Sequence, residues 1–361
     1  MADQKIKKLA EKIRELIRRE GEQLPEPEVV VITGGTSGVG RATARKFASK
    51  GAKVAILARG EDGLLGTKKD IEDLGGVALT IRTDVSDPVQ VEKACLEVEE
   101  KLGPIDVWIN NAMANVLSPV SRMKPEEFRR VTDVTYHGQV YSTLAVLKRM
   151  LSRNRGVILF VGSEQASRGI PLQSAYCGAE QAIVGFVDSL RKELIHDNSN
   201  VRVTLVQLPA INTPQYTFVK SSLSNKTKPL GKIFQPEVAA EAIYFASKNN
   251  RKEVHVGGPS LETLLVDNNP LVGEKYLASS EIEKQLLSEP EDPKRRNNLW
   301  EPVPGDPSAR GKFDANAAEF SPQLWLTKHR EALLIAAGVL VTGLFTLKAL
   351  SGKKSINPFP E

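Results

Sequence analysis

The turn Thr33-Gly34-Gly35-Thr36-Ser37-Gly38-Val39-Gly40 follows the β-branched run Val29 to Thr33 and opens a helical pattern near Arg41. Glycines at 34, 38 and 40 let backbone approach a pyrophosphate and let the helix close on the sheet, while the helix N-terminus turns its amides toward the anion. A second strand ends at Ala58-Arg59, which completes a strand–turn–helix–strand unit. The same cadence continues. Lys53 to Leu57, Ala78 to Arg82, Asp106 to Asn110, Gly156 to Val161 and Arg202 to Gln207 read as strands, most of them followed by helical patterns, and Glu253 to Val256 reads as the last strand. This order predicts an α/β fold, a doubly wound, mostly parallel Rossmann-type sheet with helices on both faces. Its active surface lies at the carboxyl ends of the strands.

The 361 residues, 41% of them hydrophobic, suffice for one large domain with appendages. A formal charge of +5 is mild for this length, and no basic groove interleaved with aromatics is evident, so nucleic-acid binding is disfavoured. The four histidines are scattered, which argues against a metal site. Cys95 and Cys177 fall in helical stretches and read as reduced thiols of a cytosol-facing protein. The highly charged N-terminus shows no secretory signal.

Four regions follow from these patterns. Residues 1–24 hold an amphipathic helix candidate, with Ile6, Leu9, Ile13, Leu16 and Ile17 at helical spacing among Lys and Arg. It either packs on the main domain or lies on a membrane surface or partner. Residues 28–258 form the nucleotide-binding and catalytic domain. Residues 259–320 read as a helical extension and a proline-rich arm or linker around Asn298-Leu299-Trp300-Glu301-Pro302. Residues 321–361 end the chain with an uncharged segment, Ala332 to Leu347, flanked by basic residues. At sixteen residues it is short of the roughly 20 that a full span needs. It reads as a membrane-embedded or deeply inserted tail, the alternative being a helix of the soluble core. The expectation is a membrane-associated protein with its catalytic domain facing the cytoplasm. A homo-oligomer is a further expectation.

At the cofactor end, Gly34, Thr36, Ser37, Gly38, Val39 and Gly40 make the phosphate-binding turn. An acid at the end of the second strand would bind the ribose hydroxyls of NAD, but the strand ends in Leu57-Ala58-Arg59. Arg59 suits a 2′-phosphate, so NADP(H) is the expected cofactor. Asp84 and Val85 end the third strand, where the carboxylate is placed to accept a hydrogen bond from an adenine amino group. Asn110, Asn111 and Ala112 end the fourth and line the cleft.

Thr33 to Gly40, Asp84, Asn110-Asn111-Ala112, Ser163 and Tyr176 together resemble the classical short-chain dehydrogenase/reductase family over Val29 to Gly258. Within it, Asp133 to Gly138, Gly169 to Cys177 and the arm around Trp300 resemble a bacterial-type group of uncharacterised reductases. The resemblance implies that Tyr176 exchanges a proton with a carbonyl or alcohol oxygen, that Ser163 hydrogen-bonds that oxygen, and that a nicotinamide exchanges the hydride. It also implies departures. The family's lysine, four residues beyond the tyrosine, is Glu180 here, and a carboxylate disfavours tyrosinate. The family's relay asparagine is Thr135. Pro209 to Thr213 stands where Pro-Gly usually precedes a threonine, with Thr213 still able to meet the nicotinamide amide. Met113 replaces a common glycine.

The substrate loop is expected over Gln215 to Phe234, whose aromatic and aliphatic residues among lysines suit an apolar carbonyl compound or a plain lid. Two readings follow. One is an NADP(H)-linked oxidoreductase acting on a small-molecule carbonyl or alcohol. The other is a catalytically weak nucleotide-binding member that serves as a membrane-associated sensor or interaction protein. A compensating cation reaching the cleft from elsewhere is a third possibility.

Overall fold

The computed structural model describes residues 27–164, 169–257, 278 and 280–335. Seven parallel strands build the central sheet: β1 Val29–Thr33, β2 Lys53–Ala58, β3 Val77–Arg82, β4 Val107–Asn110, β5 Gly156–Ser163, β6 Val201–Leu208 and β7 Glu253–His255. They lie in the order β7-β6-β5-β4-β1-β2-β3. Winding reverses between β1 and β4, and a crevice opens at such a switch point beyond the strand carboxyl ends.

The strands are β-branched and apolar on both sides because both faces are covered. Along each strand successive residues enter opposite layers. Val31, Trp108, Ile158 and Phe160 face one layer, under α3 Pro88–Leu102, α5 Gly138–Ser152 and α6 Ser174–His196. Val30, Ile32, Ile109 and Leu159 face the other, under α1 Gly38–Ala48, α2 Glu61–Asp73 and α7 Pro236–Lys248. Between these helices lies the short α4 Pro125–Thr132, which runs through a wide π turn at Asp133–His137 into α5. Local chemistry starts the helices. Asp87 caps α3 by accepting from the Val89 and Gln90 amides, and Pro88 holds the first position, where its missing N–H costs nothing.

Beyond β6 the chain is knitted to the C-terminal arm. Ile233–Phe234 pairs in parallel with Ala210–Ile211 on one side and Ala317–Ala318 on the other. Asn212, fully buried, ties the strips together. Its amide N–H donates to Phe234 O, and its Nδ2 donates to Gln235 Oε1 and Asp314 Oδ1. Its Oδ1 accepts from the Phe313 amide.

The expected membrane association, and with it the cytoplasm-facing placement, is corrected: among the described residues no helix is long and apolar enough to cross a membrane. The physical reason is visible at 322–335. This helix buries Leu324 against the sheet domain, and Lys328 and Glu331 pair with Glu241 and Arg251 of that domain. The candidate helix at 5–19 and the tail from 336 onward lie outside the described residues.

Removing the Asn212 side chain strands several buried partners at once. Asn212→Ala should lower unfolding stability by about 2–4 kcal/mol in denaturant titration. A loss below about 1 kcal/mol would show that the arm is not held through this residue.

Candidate functional site

The crevice is a cleft of about 530 Å³ that runs from the β2–α2 side across the glycine-rich turn to the start of α6. Gly34 has φ +65°, and a Cβ there would stand 2.8 Å from Ala112 Cα. A Cβ on Gly40 would meet Asn111 Nδ2 at 2.6 Å. Asn111 uses that same Nδ2 to bridge Thr33 O and Gly34 O at 3.0 and 3.2 Å, so the fourth strand's end grips the turn directly. Thr33 Oγ1 accepts from the amides of Asn111 and Ala112. Thr36, Ser37, Gly38 and Val39 line the cleft, and Thr213 presses its methyl toward Gly38. The first turn of α1 has no acidic residue and Ser37 makes no side-chain cap; the Gly38 amide donates to Ser308 O, and the rest of the helix end is left for an anion.

Arg59 and Asp84 stand at the adenine side, both lining the cleft and both already engaged. Arg59 donates to Trp300 O at 2.7 Å and to Asn298 O at 2.5 Å. Asp84 accepts from Arg130 at 2.6 Å and from the Ser86 amide and hydroxyl. Burial pulls the Asp84 carboxyl upward, but the bonds from Arg130 and Ser86 outweigh it and hold it below the usual range. Val85 and Ala112 also line the cleft.

Ser163 ends β5, and Tyr176 and Glu180 share one face of α6 at i and i+4. Glu180 is buried beneath the cleft and accepts the Ser163 amide at 3.3 Å. The Tyr176 hydroxyl lies close enough to the Glu180 carboxyl and to Ser163 for both to act on its ionisation. Burial first, then the Glu180 charge and the bond to it, push the Tyr176 hydroxyl well above its ordinary range, with Ser163 acting the other way. Burial pushes the Glu180 carboxyl up to about 7 against the downward pull of Tyr176 and the Ser163 amide. Arg59 is the only cation lining the cleft among the described residues, and it stands at the adenine side.

Thr135 is not brought to the cleft. It is fully buried in the π turn, where its hydroxyl donates to Ala114 O and accepts the Ala114 amide. Met113, Ile170, Ile211, Tyr216 and Phe218 give the chemical end an apolar wall. Gln173 also lines it. Its Oε1 accepts from Asn115 at 2.7 Å, and its Nε2 donates to Gln285 at 2.8 Å. Gln173, Arg130 and the segment 302–307 were not anticipated as site residues. Their partners lie far away in the chain, and only Gln173's nearness to Tyr176 hinted at a role.

Residues 28–223 match the family model described as short chain dehydrogenase. An uncharacterized oxidoreductase of Bacillus subtilis, YxnA, is 30% identical over 277 residues, covering 76% of this chain and 78% of its own. A 3-ketodihydrosphingosine reductase of Mus musculus is 36% identical over 206 residues, covering 56% of this chain and 60% of its own. Among solved structures, an alcohol dehydrogenase from the archaeon Thermococcus sibiricus, complexed with 5-hydroxy-NADP, superposes with a TM-score of 0.55 at 25% identity. That superposition covers 64% of this chain and 96% of the other.

The raised Glu180 carboxyl has a signed consequence. A carboxyl that titrates higher folded than unfolded contributes stability fully present below its unfolded value and lost as pH rises through about 7. Glu180→Gln should therefore gain on wild type by roughly 2–3 kcal/mol of unfolding free energy between pH 5 and pH 8. Parallel stability–pH curves for the two proteins would refute the burial of an ionising group here.

Proposed function

The chain belongs to the short chain dehydrogenase family and is an NAD(P)(H)-dependent oxidoreductase of the carbonyl/alcohol kind; from that premise we propose an NADP(H)-linked reductase in which Glu180 takes over the lysine position and feeds protons to Tyr176. The observation that carries this reading is the buried Glu180 carboxyl, held by the Ser163 amide and placed one helical turn from Tyr176 with no cation beside it among the described cleft residues.

The residues present fit the cofactor. The acid-free N-terminus of α1 and the close-packed Gly34 and Gly40 leave room for a pyrophosphate, and Arg59 suits a 2′-phosphate. Val39, Asn111, Ala112 and Thr213 complete the walls. When bound, the dinucleotide supplies or accepts the hydride. An apolar carbonyl compound suits the wall of Met113, Ile170, Ile211, Tyr216 and Phe218. The name of the mouse relative supports a ketone.

With Glu180 ionised, the Tyr176 proton points at the carboxylate and is unavailable to a substrate. Protonating Glu180 reverses that bond: the carboxylic acid donates to the phenol oxygen and frees the Tyr176 O–H for the cleft. In reduction Ser163 donates a hydrogen bond to the carbonyl oxygen. Tyr176 transfers its proton to that oxygen as the alcohol forms, and the proton of Glu180 moves to Tyr176 oxygen. The carboxylate left behind is reprotonated from solvent. A lysine in this place favours tyrosinate and so serves proton removal, whereas a buried acid serves proton donation. The arrangement favours reduction.

Carbonyl reduction with NADPH should therefore fall as pH rises through about 7, the range to which burial lifts Glu180. Tyr176→Phe should cost roughly 10²–10⁴-fold in kcat/KM. Glu180→Gln, which keeps a donor toward Tyr176, should flatten that limb of the pH profile, and Glu180→Lys should raise alcohol oxidation and shift it to lower pH. A wild-type protein that binds NADPH but turns over no member of a carbonyl panel, and gains turnover as Glu180→Lys, would favour the nucleotide-binding reading instead.

A further inference from the structure

Residues 298–311 cross the mouth of the cofactor half as a strap. Leu299 anchors it with no exposed surface, packed in the layer beneath α3, α5 and α6. On either side of that anchor the backbone carbonyls of Asn298 and Trp300 take Arg59, and Leu299 O takes Arg130 Nε at 3.0 Å. Further on, the Gly305 amide donates to Asp62 Oδ2 at 2.7 Å and the Asp306 carboxylate pairs with buried Arg41 of α1. The strap then reaches the glycine-rich turn, where Ser308 O accepts the Gly38 amide at 3.2 Å. Pro302, Pro304 and Pro307 form part of the cleft wall.

A guanidinium has five N–H groups, all donors. The strap engages both Nη1 protons of Arg59, one of them weakly at 3.5 Å, and one Nη2 proton. Nε–H and the second Nη2–H have no hydrogen-bond acceptor among the described residues. Burial and the nearby charge of Arg130 hold Arg59 below its usual range, with Asp84 and Glu301 only partly offsetting them. Asp84 pairs with Arg130 at 2.6 Å and stands 4.0 Å from Arg59 Nη1, so the two Arg59 donors that the strap leaves are what an added anion would meet.

We propose that the strap is the specificity element for the 2′-phosphate: the Asn298 and Trp300 carbonyls fix the Arg59 guanidinium with its remaining donors open to that phosphate, so strap closure and binding of a 2′-phosphorylated dinucleotide are one coupled event. This rests on the NADP(H) reading above. Arginine is preorganised for phosphate only when its fork is held, and here the holding group is main chain from 239 to 241 residues away. Linkage makes the coupling reciprocal. Whatever the closed strap adds to NADPH affinity, NADPH returns as strap stability.

The test uses the full chain and needs binding only. Exposed Lys294 and Arg296 precede the strap and exposed Arg310 lies near its far end, all as trypsin sites. Saturating NADPH should slow cleavage there about ten-fold, and saturating NADH less than about three-fold. Leu299→Ala and, where that variant does not fold, Asp306→Ala should speed the same cleavages without ligand. By calorimetry they should weaken NADPH about ten-fold while changing NADH less than about three-fold. A loosened strap with an unmoved NADPH-to-NADH affinity ratio, or faster cleavage under NADPH, overturns the proposal while the cofactor reading stands. No NADPH binding by the wild-type chain overturns both.

Discussion

The close approach of α1 to the end of β1 sets the geometry of the whole carboxyl edge, because the glycine turn there leaves no space for side chains at Gly34 and Gly40. Asn111 fills the gap from β4 by bonding both turn carbonyls, and Thr33 answers by accepting the Asn111 and Ala112 amides. The strand on each side of the switch point therefore holds the other's loop. Once the turn is fixed, its helix end faces the cleft, Thr213 lies on one side of it and Ser308 on the other. The arm is thus part of the cleft wall.

The chemical end depends on a second constraint, a carboxylate without a counter-ion. A buried acid has three ways to lower its cost: pair with a cation, collect hydrogen bonds or take a proton. Glu180 has no cation beside it among the described cleft residues and draws what help it has from the Ser163 amide bond and from the neighbouring Tyr176 hydroxyl. These offset only part of the burial, and the carboxyl rises to about 7. The proton it takes near neutrality is the one that, on the proposed mechanism, Tyr176 then needs. In the proposed mechanism, burial is what turns a group that opposes tyrosinate into a donor that replenishes the phenol.

Much of this was legible in the chain, and the boundary of legibility has a physical cause. The sheet followed from β-branched runs alternating with helical patterns, and the phosphate turn from glycine spacing between a strand and a helix, both local signals. Ser163, Tyr176 and Glu180 were identifiable by resemblance to the family's serine, tyrosine and lysine positions, a pattern that lies in one short stretch of the chain. Arg59 and Asp84 were found, but not their partners. Arg130, Trp300 and Asn298 come from segments 46 to 241 residues away, and a proline-rich stretch has no periodicity to say where it docks. Thr135 was placed by resemblance at a relay, yet its hydroxyl spends both its bonds on Ala114, inside a π turn that hydrophobic spacing does not reveal. The expected membrane segment, Ala332 to Leu347, was read from its lack of charge alone; the chain just before it is tied to the sheet domain by Lys328 and Glu331, and no helix among the described residues is long and apolar enough to cross a membrane.

The central claim is that Glu180 shares a proton with Tyr176 near neutral pH. Its most direct test is the carboxyl itself, followed by carbon-13 NMR of glutamate-labelled protein or by the infrared band of the protonated acid, assigned by its disappearance in Glu180→Gln. The account predicts a single buried carboxyl titrating at about 7 in the cofactor-free protein, and a change at the Tyr176 ring with the same midpoint. A Glu180 resonance that titrates in the ordinary carboxylate range, with Tyr176 silent through neutrality, would contradict it.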